Sequence, residues 1–199
     1  KSQIVQLAGP IGGYQLCRIL SRTIPNILMY HRFSEMTQPG FVHRETFEKQ
    51  VVYLKKNFNL ITLDDLVKIH LQRGSFPANT VVITVYDGYR DFYEKAYPIL
   101  KKYNMRAVIF VMTSYIAESG RRKRSDEGMI TALPAHKECL NMFEQGRASE
   151  VIMSWDELKE MESSGLVDIQ SHTHTHQKWD NIYTDNTKLH EILQHELAV

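Results

Sequence analysis

The sequence predicts an α/β fold built on a parallel sheet or barrel. Three apolar runs have the length of buried strands and are rich in β-branched residues, at 80–85, 107–112 and 166–169. Segments with helical periodicity lie between and after these runs. Because buried strands alternate with helices, we expect right-handed crossover connections between parallel strands.

The first third of the chain contributes the lead-in and the first elements. Residues 1–25 are predicted to form a short lead-in helix, which is interrupted at Pro10. Residues 26–30 form an apolar run of strand length. Apolar positions at helical spacing then predict a helix over residues 46–56.

Capping signals place the later helices. Thr62, with Asp65 three positions on, predicts the start of a helix that ends near Gly74. Ser154 and Gly165 are typical of the start and the end of another helix. The helices predicted in the rest of the chain span residues 91–103, 155–164 and 187–197.

The periodic pattern lapses between residues 119 and 150. A connection of this length is usually a lid, a binding loop or a mobile segment, and Leu133-Pro134 can open a helix within it. The basic run at 121–124 is more typical of a solvated loop than of an anion-binding patch. We therefore predict a lead-in at 1–25 and one domain at 26–199, with an insertion at about 119–150.

Composition narrows the classes of partner. The 24 basic and 23 acidic residues give a net charge of +1, which creates no field to attract nucleic acid or an anionic membrane. No apolar run reaches the ~20 residues of a transmembrane span, and the start shows no hydrophobic signal core. Cys17 and Cys139 are interpreted as two ordinary thiols.

Three histidines directly follow the third strand, at positions 172, 174 and 176. The carboxyl end of a parallel strand is where α/β folds place their sites. A four-residue spacing brings two imidazoles to one metal if the loop turns, whereas an extended segment would put all three on one face. Metal binding is favoured over a polar surface loop, but this motif alone identifies neither the metal nor the reaction.

Asp87 ends the most strongly predicted strand and is followed by Gly88. Alone it would be interpreted as a turn or capping residue. Together with the histidines it suggests a site of two histidines and one carboxylate. Such a set suits zinc with an open water position, and it also suits non-haem iron.

These motifs resemble the conserved blocks of the NodB-type polysaccharide deacetylases, a carbohydrate esterase family. Thr84-Val-Tyr-Asp-Gly-Tyr89 is similar to the first block, which normally reads Thr-Phe-Asp-Asp-Gly. Ser171-His-Thr-His-Thr-His176 is similar to the second block, His-Ser/Thr-x-Ser/Thr-His. Residues 27–31 and 47–66 resemble the lead-in that often precedes the first block. The resemblance covers most of residues 26–198, except the insertion.

The resemblance implies a distorted parallel β/α barrel, incomplete in this chain, that removes N- or O-acetyl groups from carbohydrate. It implies one divalent metal, usually zinc, with Asp87, His172 and His176 at the ligand positions. The expected partner is an acetylated polysaccharide or glycan, in the cytoplasm or cell envelope of a bacterium. His174 occupies the variable middle position, and His31 and Tyr89 are candidates for the substrate rim.

Two features depart from the family pattern. The family's catalytic base is an aspartate, and its position is held here by Tyr86. A phenol titrates near pH ~10 in model peptides, so tyrosine makes a poor base at neutral pH. The family's later blocks are expected beyond Val199, while His190 and His195 are predicted to be surface residues of the last helix.

Three functions remain open at this point. The first is a metal-dependent carbohydrate deacetylase, and the second is a catalytically silent carbohydrate-binding protein that keeps the metal. The third, a non-haem iron oxygenase, shares the ligand types but lacks the resemblance in the surrounding residues.

Overall fold

The structure of the protein, a computed structural model, describes residues 22–118, 120–122, 127, 134–177 and 186–197. The lead-in helix predicted at 1–25 therefore lies almost wholly outside the described residues, as do Cys17 and the side chain of His195. Residues 22–25 form a turn and a bend before the first strand.

Seven strands and six α-helices are present in the described part of the chain. The strands are β1 Asn26–Tyr30, β2 Phe33–Ser34, β3 Val42–His43, β4 Asn59–Leu60, β5 Thr80–Asp87, β6 Ala107–Val111 and β7 Val167–Ser171. The helices are α1 Arg44–Asn57, α2 Leu63–Leu71, α3 Tyr97–Tyr103, α4 His136–Glu144, α5 Trp155–Ser163 and α6 Asn186–Leu197. A π-helical turn, Phe92–Ala96, leads into α3, and 3-10 turns lie at Thr113–Tyr115 and Ala148–Glu150.

The main sheet is parallel, in the order β1-β5-β6-β7, and β4 pairs with the start of β5. The short strands β2 and β3 form a separate parallel pair. This confirms the predicted parallel α/β class. Within the described residues the sheet is open, with β1 and β7 at its edges, in agreement with the expected incomplete barrel.

The register of the sheet aligns the carboxyl ends of three strands. Asp87 at the end of β5 lies opposite Val111 of β6, and Val111 lies opposite Ser171 of β7. The loop that begins at His172 therefore leaves the sheet at the same edge as Asp87. Strand register thus brings together two motifs that are 85 residues apart in sequence.

The core lies between the sheet and the helices that cover it. Seven of the eight residues of β5 are buried, which explains why its sequence is apolar on both faces. The core side chains from β5 and α1 are Val81, Ile83, Val85, Phe47, Val51 and Leu54.

Among the helices in the described part of the chain, none combines the length and the apolar composition that a membrane-spanning helix needs.

The predicted caps are present. Thr62 Oγ1 accepts a hydrogen bond from the Asp65 amide at 3.0 Å. Ser154 Oγ accepts one from the Glu157 amide at 3.3 Å, and a Glu157 carboxylate oxygen accepts one from the Ser154 amide at 3.0 Å. The strands β2, β3 and β4 were not predicted, because two residues are too short to show a periodic pattern.

The basic run at 121–124 is tied into ion pairs where the structure describes it. Arg121 Nε donates to a Glu160 carboxylate oxygen at 2.7 Å. Arg122 binds the fully buried Glu157 at 2.8 Å and also donates to the carbonyl of Ile152. Arg121 is 40% exposed, as expected for a solvated loop, whereas the partly buried Arg122 holds the inserted segment against α5.

Candidate metal centre

Asp87 stands where β5 ends in a sharp turn. Asp87 and Gly88 both have left-handed backbones, with φ of 74° and 77°. A Cβ on residue 88 would lie 3.2 Å from a methyl group of Val111, so the turn favours glycine by conformation and by space. This turn holds the Asp87 side chain, which is only 8% exposed, at the carboxyl edge of the sheet.

The histidine loop turns as soon as it leaves β7. The His172 amide donates to the Val111 carbonyl at 2.8 Å, which extends the sheet pairing by one residue. Thr173 and His176 then adopt left-handed backbones, with φ of 66° and 56°. The loop therefore curls, and the imidazole centroids of His172 and His176 lie 4.6 Å apart.

Asp87, His172 and His176 converge on one point. The Nε2 atom of His172 lies 3.5 Å from Asp87 Oδ1, and that of His176 lies 3.7 Å from the same oxygen. The potential ligand atoms all lie within 4.8 Å of one another, so these three residues could hold one metal ion. Burial lowers the pKa of His172, and the neighbouring His176 lowers it further, which favours the neutral ring that binds metals.

Glu196 clamps the loop from α6. It is 3% exposed and accepts hydrogen bonds from the backbone amides of His174 and Thr175, at 2.9 and 2.8 Å. The hydroxyl of Thr175 donates to its other oxygen at 2.9 Å. Burial raises the pKa of Glu196, but these hydrogen bonds outweigh it and leave the pKa below its usual value. Nothing in the sequence distinguished Glu196 from other helical glutamates.

His174 does not join the ligand group. Its Nδ1 atom lies 2.9 Å from Thr113 Oγ1, and its carbonyl accepts from the Ser114 amide at 3.0 Å. This agrees with the expectation that the middle histidine packs locally. His190, predicted to be a surface residue, is exposed on α6.

Tyr86 lies beside the ligand group in a stack of rings. Its ring stacks on His31 at a centroid distance of 5.3 Å and on Phe110 at 5.1 Å. Tyr86 and His172 form a T-shaped pair, with ring centroids 5.2 Å apart and planes 73° apart. His31 is exposed, so it stays a candidate for the substrate rim, and Tyr86 separates it from Phe110.

The prediction that Tyr89 lines the rim is corrected by the structure. Tyr89 is 1% exposed, its hydroxyl lies 3.0 Å from His136 Nδ1, and the Arg32 guanidinium lies 3.9 Å from the ring centroid. Its ring turns inward because its backbone bridges to Ile152, two residues beyond the candidate ligand Asp87. Tyr89 therefore packs beneath the inserted helix α4 and not at the rim.

Sequence analysis also missed Arg32, which the structure places in the core. Its Nε atom lies 2.5 Å from Asp91 Oδ2, and its Nη2 atom donates to the Pro134 carbonyl at 3.0 Å. The rings of Phe41 and Tyr89 cover the guanidinium at 4.4 and 3.9 Å. Only its place directly after His31 at the end of β1 could have drawn attention to it.

The fold and the site together define a parallel α/β protein with a carboxylate and two histidines that could hold one metal ion at the carboxyl edge of its sheet. The sequence profile of the family described as polysaccharide deacetylase matches residues 73–199. The chain belongs to the polysaccharide deacetylase family.

Curated relatives are similar to the larger part of the chain. A poly-beta-1,6-N-acetyl-D-glucosamine N-deacetylase of Staphylococcus aureus is 29% identical over 150 residues, which are 75% of this chain and 42% of that protein. A protein of the same name from Staphylococcus epidermidis is 28% identical over 131 residues, which are 65% of this chain and 36% of that protein. The chain thus spans less than half the length of these relatives.

Solved structures share the fold. A de-N-acetylase from Aggregatibacter actinomycetemcomitans superposes with a TM-score of 0.53 at 27% identity, over 75% of this chain and 54% of that chain. The Streptococcus pyogenes deacetylase PplD, solved in complex with acetate, gives a TM-score of 0.54 at 22% identity, over 87% of this chain and 69% of that chain. The NodB-type architecture predicted from the sequence is therefore confirmed.

Proposed function

We propose that the protein is a zinc-dependent N-deacetylase of an acetylated amino-sugar polysaccharide. The observation that carries this proposal is the convergence of His172 and His176 on one oxygen of Asp87, at 3.5 and 3.7 Å. The N-deacetylase activity named for the Staphylococcus relatives supports the substrate class, a glycan of β-1,6-linked N-acetylglucosamine.

The donor set fits zinc. Nitrogen and carboxylate ligands lie ~2.0–2.2 Å from zinc in tetrahedral sites, which separates two such ligands by roughly 3.4 Å. The Nε2 atoms of His172 and His176 lie 3.5 and 3.7 Å from Asp87 Oδ1, which is close to that separation. Three protein ligands also leave one tetrahedral position open, as catalytic zinc sites do.

A divalent ion held by these ligands would polarise an acetyl carbonyl and make water more acidic. The chain's own groups supply orientation and proton transfer around it. The Tyr86 hydroxyl can donate a hydrogen bond to an acetyl oxygen at this edge, although a phenol is a weak base at neutral pH. The exposed His31 places a further imidazole beside Tyr86, where it can exchange protons with solvent and with a leaving amine.

The position of Tyr86 favours a second candidate function. Its ring is stacked between His31 and Phe110 and meets the edge of His172, where the family places a carboxylate base. A site without its base would bind an acetylated glycan and hydrolyse it slowly or not at all. The second candidate is therefore a catalytically silent carbohydrate-binding protein of the same fold.

Metal stoichiometry tests the centre directly. We expect about one zinc per chain by elemental analysis after loading and desalting, and a loss of that zinc in Asp87→Ala and His176→Ala. The matched control is His70→Ala, because His70 is an exposed histidine on α2 that lies outside the ligand group. A folded wild-type chain without bound metal, or equal loss in the control, would overturn the assignment of the centre.

Acetate release separates the two candidate functions. The substrate is a β-1,6-linked N-acetylglucosamine pentasaccharide, and free acetate and new amines are quantified with and without a chelator. Release that stops on chelation and returns with zinc supports the deacetylase. Glycan binding with no acetate released, in a chain that holds its zinc, would replace the deacetylase with the silent binding protein.

A further inference from the structure

A cavity of about 290 Å³ opens directly beside the candidate metal centre. The ligand His176 forms part of its lining, so the cavity and the metal centre share one wall. Ligand pockets generally hold ~300–1,000 Å³, so this cavity lies just below that range and suits a single small ring.

An apolar wall of this cavity comes from the inserted segment. Leu140 and Phe143 of α4 line it together with Tyr115, which follows β6. The rings of Tyr115 and Phe143 stack at 4.6 Å with planes 19° apart, and Phe143 stacks in turn on the buried Tyr89 at 6.3 Å. Leu140 is 44% exposed, so its side chain is available to an incoming ligand.

This wall is anchored to the core before any ligand arrives. The buried Arg32 donates to the Pro134 carbonyl at 3.0 Å, just before α4 begins. His136, the first residue of α4, lies 3.0 Å from the Tyr89 hydroxyl. Because these two contacts hold α4 in place, the cavity is preorganised. Ligand binding therefore costs little free energy for ordering the protein.

Polar groups also line the cavity. Glu144, the last residue of α4, and Gln177, which follows His176, both belong to its lining and are exposed. A pyranose ring presents an apolar face of C–H groups and a rim of hydroxyls. The aromatic and aliphatic side chains of the lining can pack against the apolar face, and its polar side chains can form hydrogen bonds with the hydroxyls.

We propose that this cavity, formed by Tyr115, Leu140, Phe143, Glu144 and Gln177, is a sugar subsite for the residue adjacent to the acetylated sugar at the metal centre. The inference rests on the proposed function, since it takes the glycan as the ligand. It assigns a role to the insertion at about 119–150, whose helix α4 builds a wall of the substrate channel.

The test measures glycan binding and does not depend on turnover. The wild-type chain is titrated with a β-1,6-linked N-acetylglucosamine pentasaccharide by calorimetry and by NMR. We expect Leu140→Trp, which fills the cavity from an exposed helical position, to weaken binding at least tenfold. Tyr115→Ala, which removes the aromatic wall, is expected to weaken binding by about tenfold.

The controls place the same substitutions at exposed positions outside the cavity. Leu71→Trp lies on α2, where Leu71 is 75% exposed, and Tyr53→Ala lies on α1, where Tyr53 is 51% exposed. Both should bind the pentasaccharide as the wild type does. Circular dichroism and thermal melting confirm that each variant is folded, and Leu140→Trp keeps the test decisive if Tyr115→Ala is unstable.

The outcomes separate this inference from the proposed function. Unchanged binding in a folded Leu140→Trp overturns the subsite, and so does the absence of binding by the wild type. Acetate release, measured in parallel on the wild type, reports on the function by itself. Weakened binding in the cavity variants supports the subsite even where no acetate is released. Preferential binding of an alkyl chain, such as octyl glucoside through its tail, would replace the sugar with an apolar ligand.

Discussion

Replacing Arg32 with methionine removes one partner of a buried ion pair. The Arg32 Nε atom lies 2.5 Å from Asp91 Oδ2, and both side chains are almost fully buried. Methionine keeps apolar contact with the rings of Phe41 and Tyr89, which cover the guanidinium in the wild type. The main consequence is that Asp91, whose side chain is fully buried, loses the arginine that binds it.

The expected cost follows from this uncompensated charge. Removing one partner of a buried pair destabilises a protein by about 3–5 kcal/mol. The total free energy of unfolding of a domain is about 5–15 kcal/mol, so the loss is a large fraction of it. We therefore expect Arg32→Met to lower the free energy of unfolding by about 3–5 kcal/mol in urea at neutral pH.

The control is an exposed ion pair between an arginine and a carboxylate. Arg147 binds Glu150 through two hydrogen bonds of 2.7 and 2.8 Å, with both side chains 51% exposed. Solvent screens such pairs, so Arg147→Met should cause no loss that can be separated from experimental error. Equal unfolding midpoints for Arg32→Met and Arg147→Met would refute the reasoning.

The pH dependence gives an independent check. Burial raises the pKa of Asp91 from 3.8 to about 6, and Arg32 opposes this rise. The folded state therefore binds the Asp91 proton more tightly than the unfolded state does. This preference adds about 3 kcal/mol to the free energy of unfolding below pH ~4, and the contribution is lost as the pH rises through about 6.

In Arg32→Met the positive charge of Arg32, which lowers the pKa of Asp91 in the wild type, is absent. The pKa of Asp91 therefore rises further, and the free energy of unfolding continues to fall above pH ~6. The difference in stability between wild type and variant should be smallest near pH ~4 and largest near pH ~8. A difference that stays constant or shrinks with rising pH would show that Asp91 is not the group responsible.

Three further predictions concern the candidate metal centre and the residues that position it. Tyr86→Asp restores a carboxylate base and should raise acetate release by about 10²- to 10⁴-fold, whereas an unchanged rate would show that this position needs no base. Glu196→Gln removes the charge that holds the histidine loop and should weaken zinc binding by about 10- to 100-fold, while the exposed Glu191→Gln on the same helix should not. Gly88→Ala places a Cβ 3.2 Å from β6 and should cost about 1–3 kcal/mol more in urea unfolding than Gly146→Ala, which shares a positive φ but has open space; equal costs would mean that the strand adjusts freely.

Local patterns in the sequence were enough for the principal elements. The apolar β-branched run of β5 predicted a buried strand because both faces of that strand are covered. The caps at Thr62 and Ser154 predicted helix starts because they depend on residues only three positions apart. The family resemblance likewise rested on short contiguous motifs around Asp87 and the histidines.

Local patterns could not predict the contacts between segments that are distant in sequence. Tyr89 was predicted at the rim, but its side chain is only 1% exposed and its backbone bridges to Ile152. Glu196 and Arg32 carry no local signal, since Glu196 binds an amide 21 residues away in sequence and Arg32 binds a carboxylate 59 residues away.

The sequence by itself determined the class of fold from its apolar strands and the helices between them. Its short motifs carried the family resemblance, which in turn assigned the three candidate ligands and showed that a tyrosine holds the base position. Only the tertiary structure decided that Asp87 and the two histidines meet, that Glu196 clamps their loop and that α4 forms a wall beside His176. The physical reason is that parallel strand register and burial bring these groups together, and neither is encoded in any short segment of the chain.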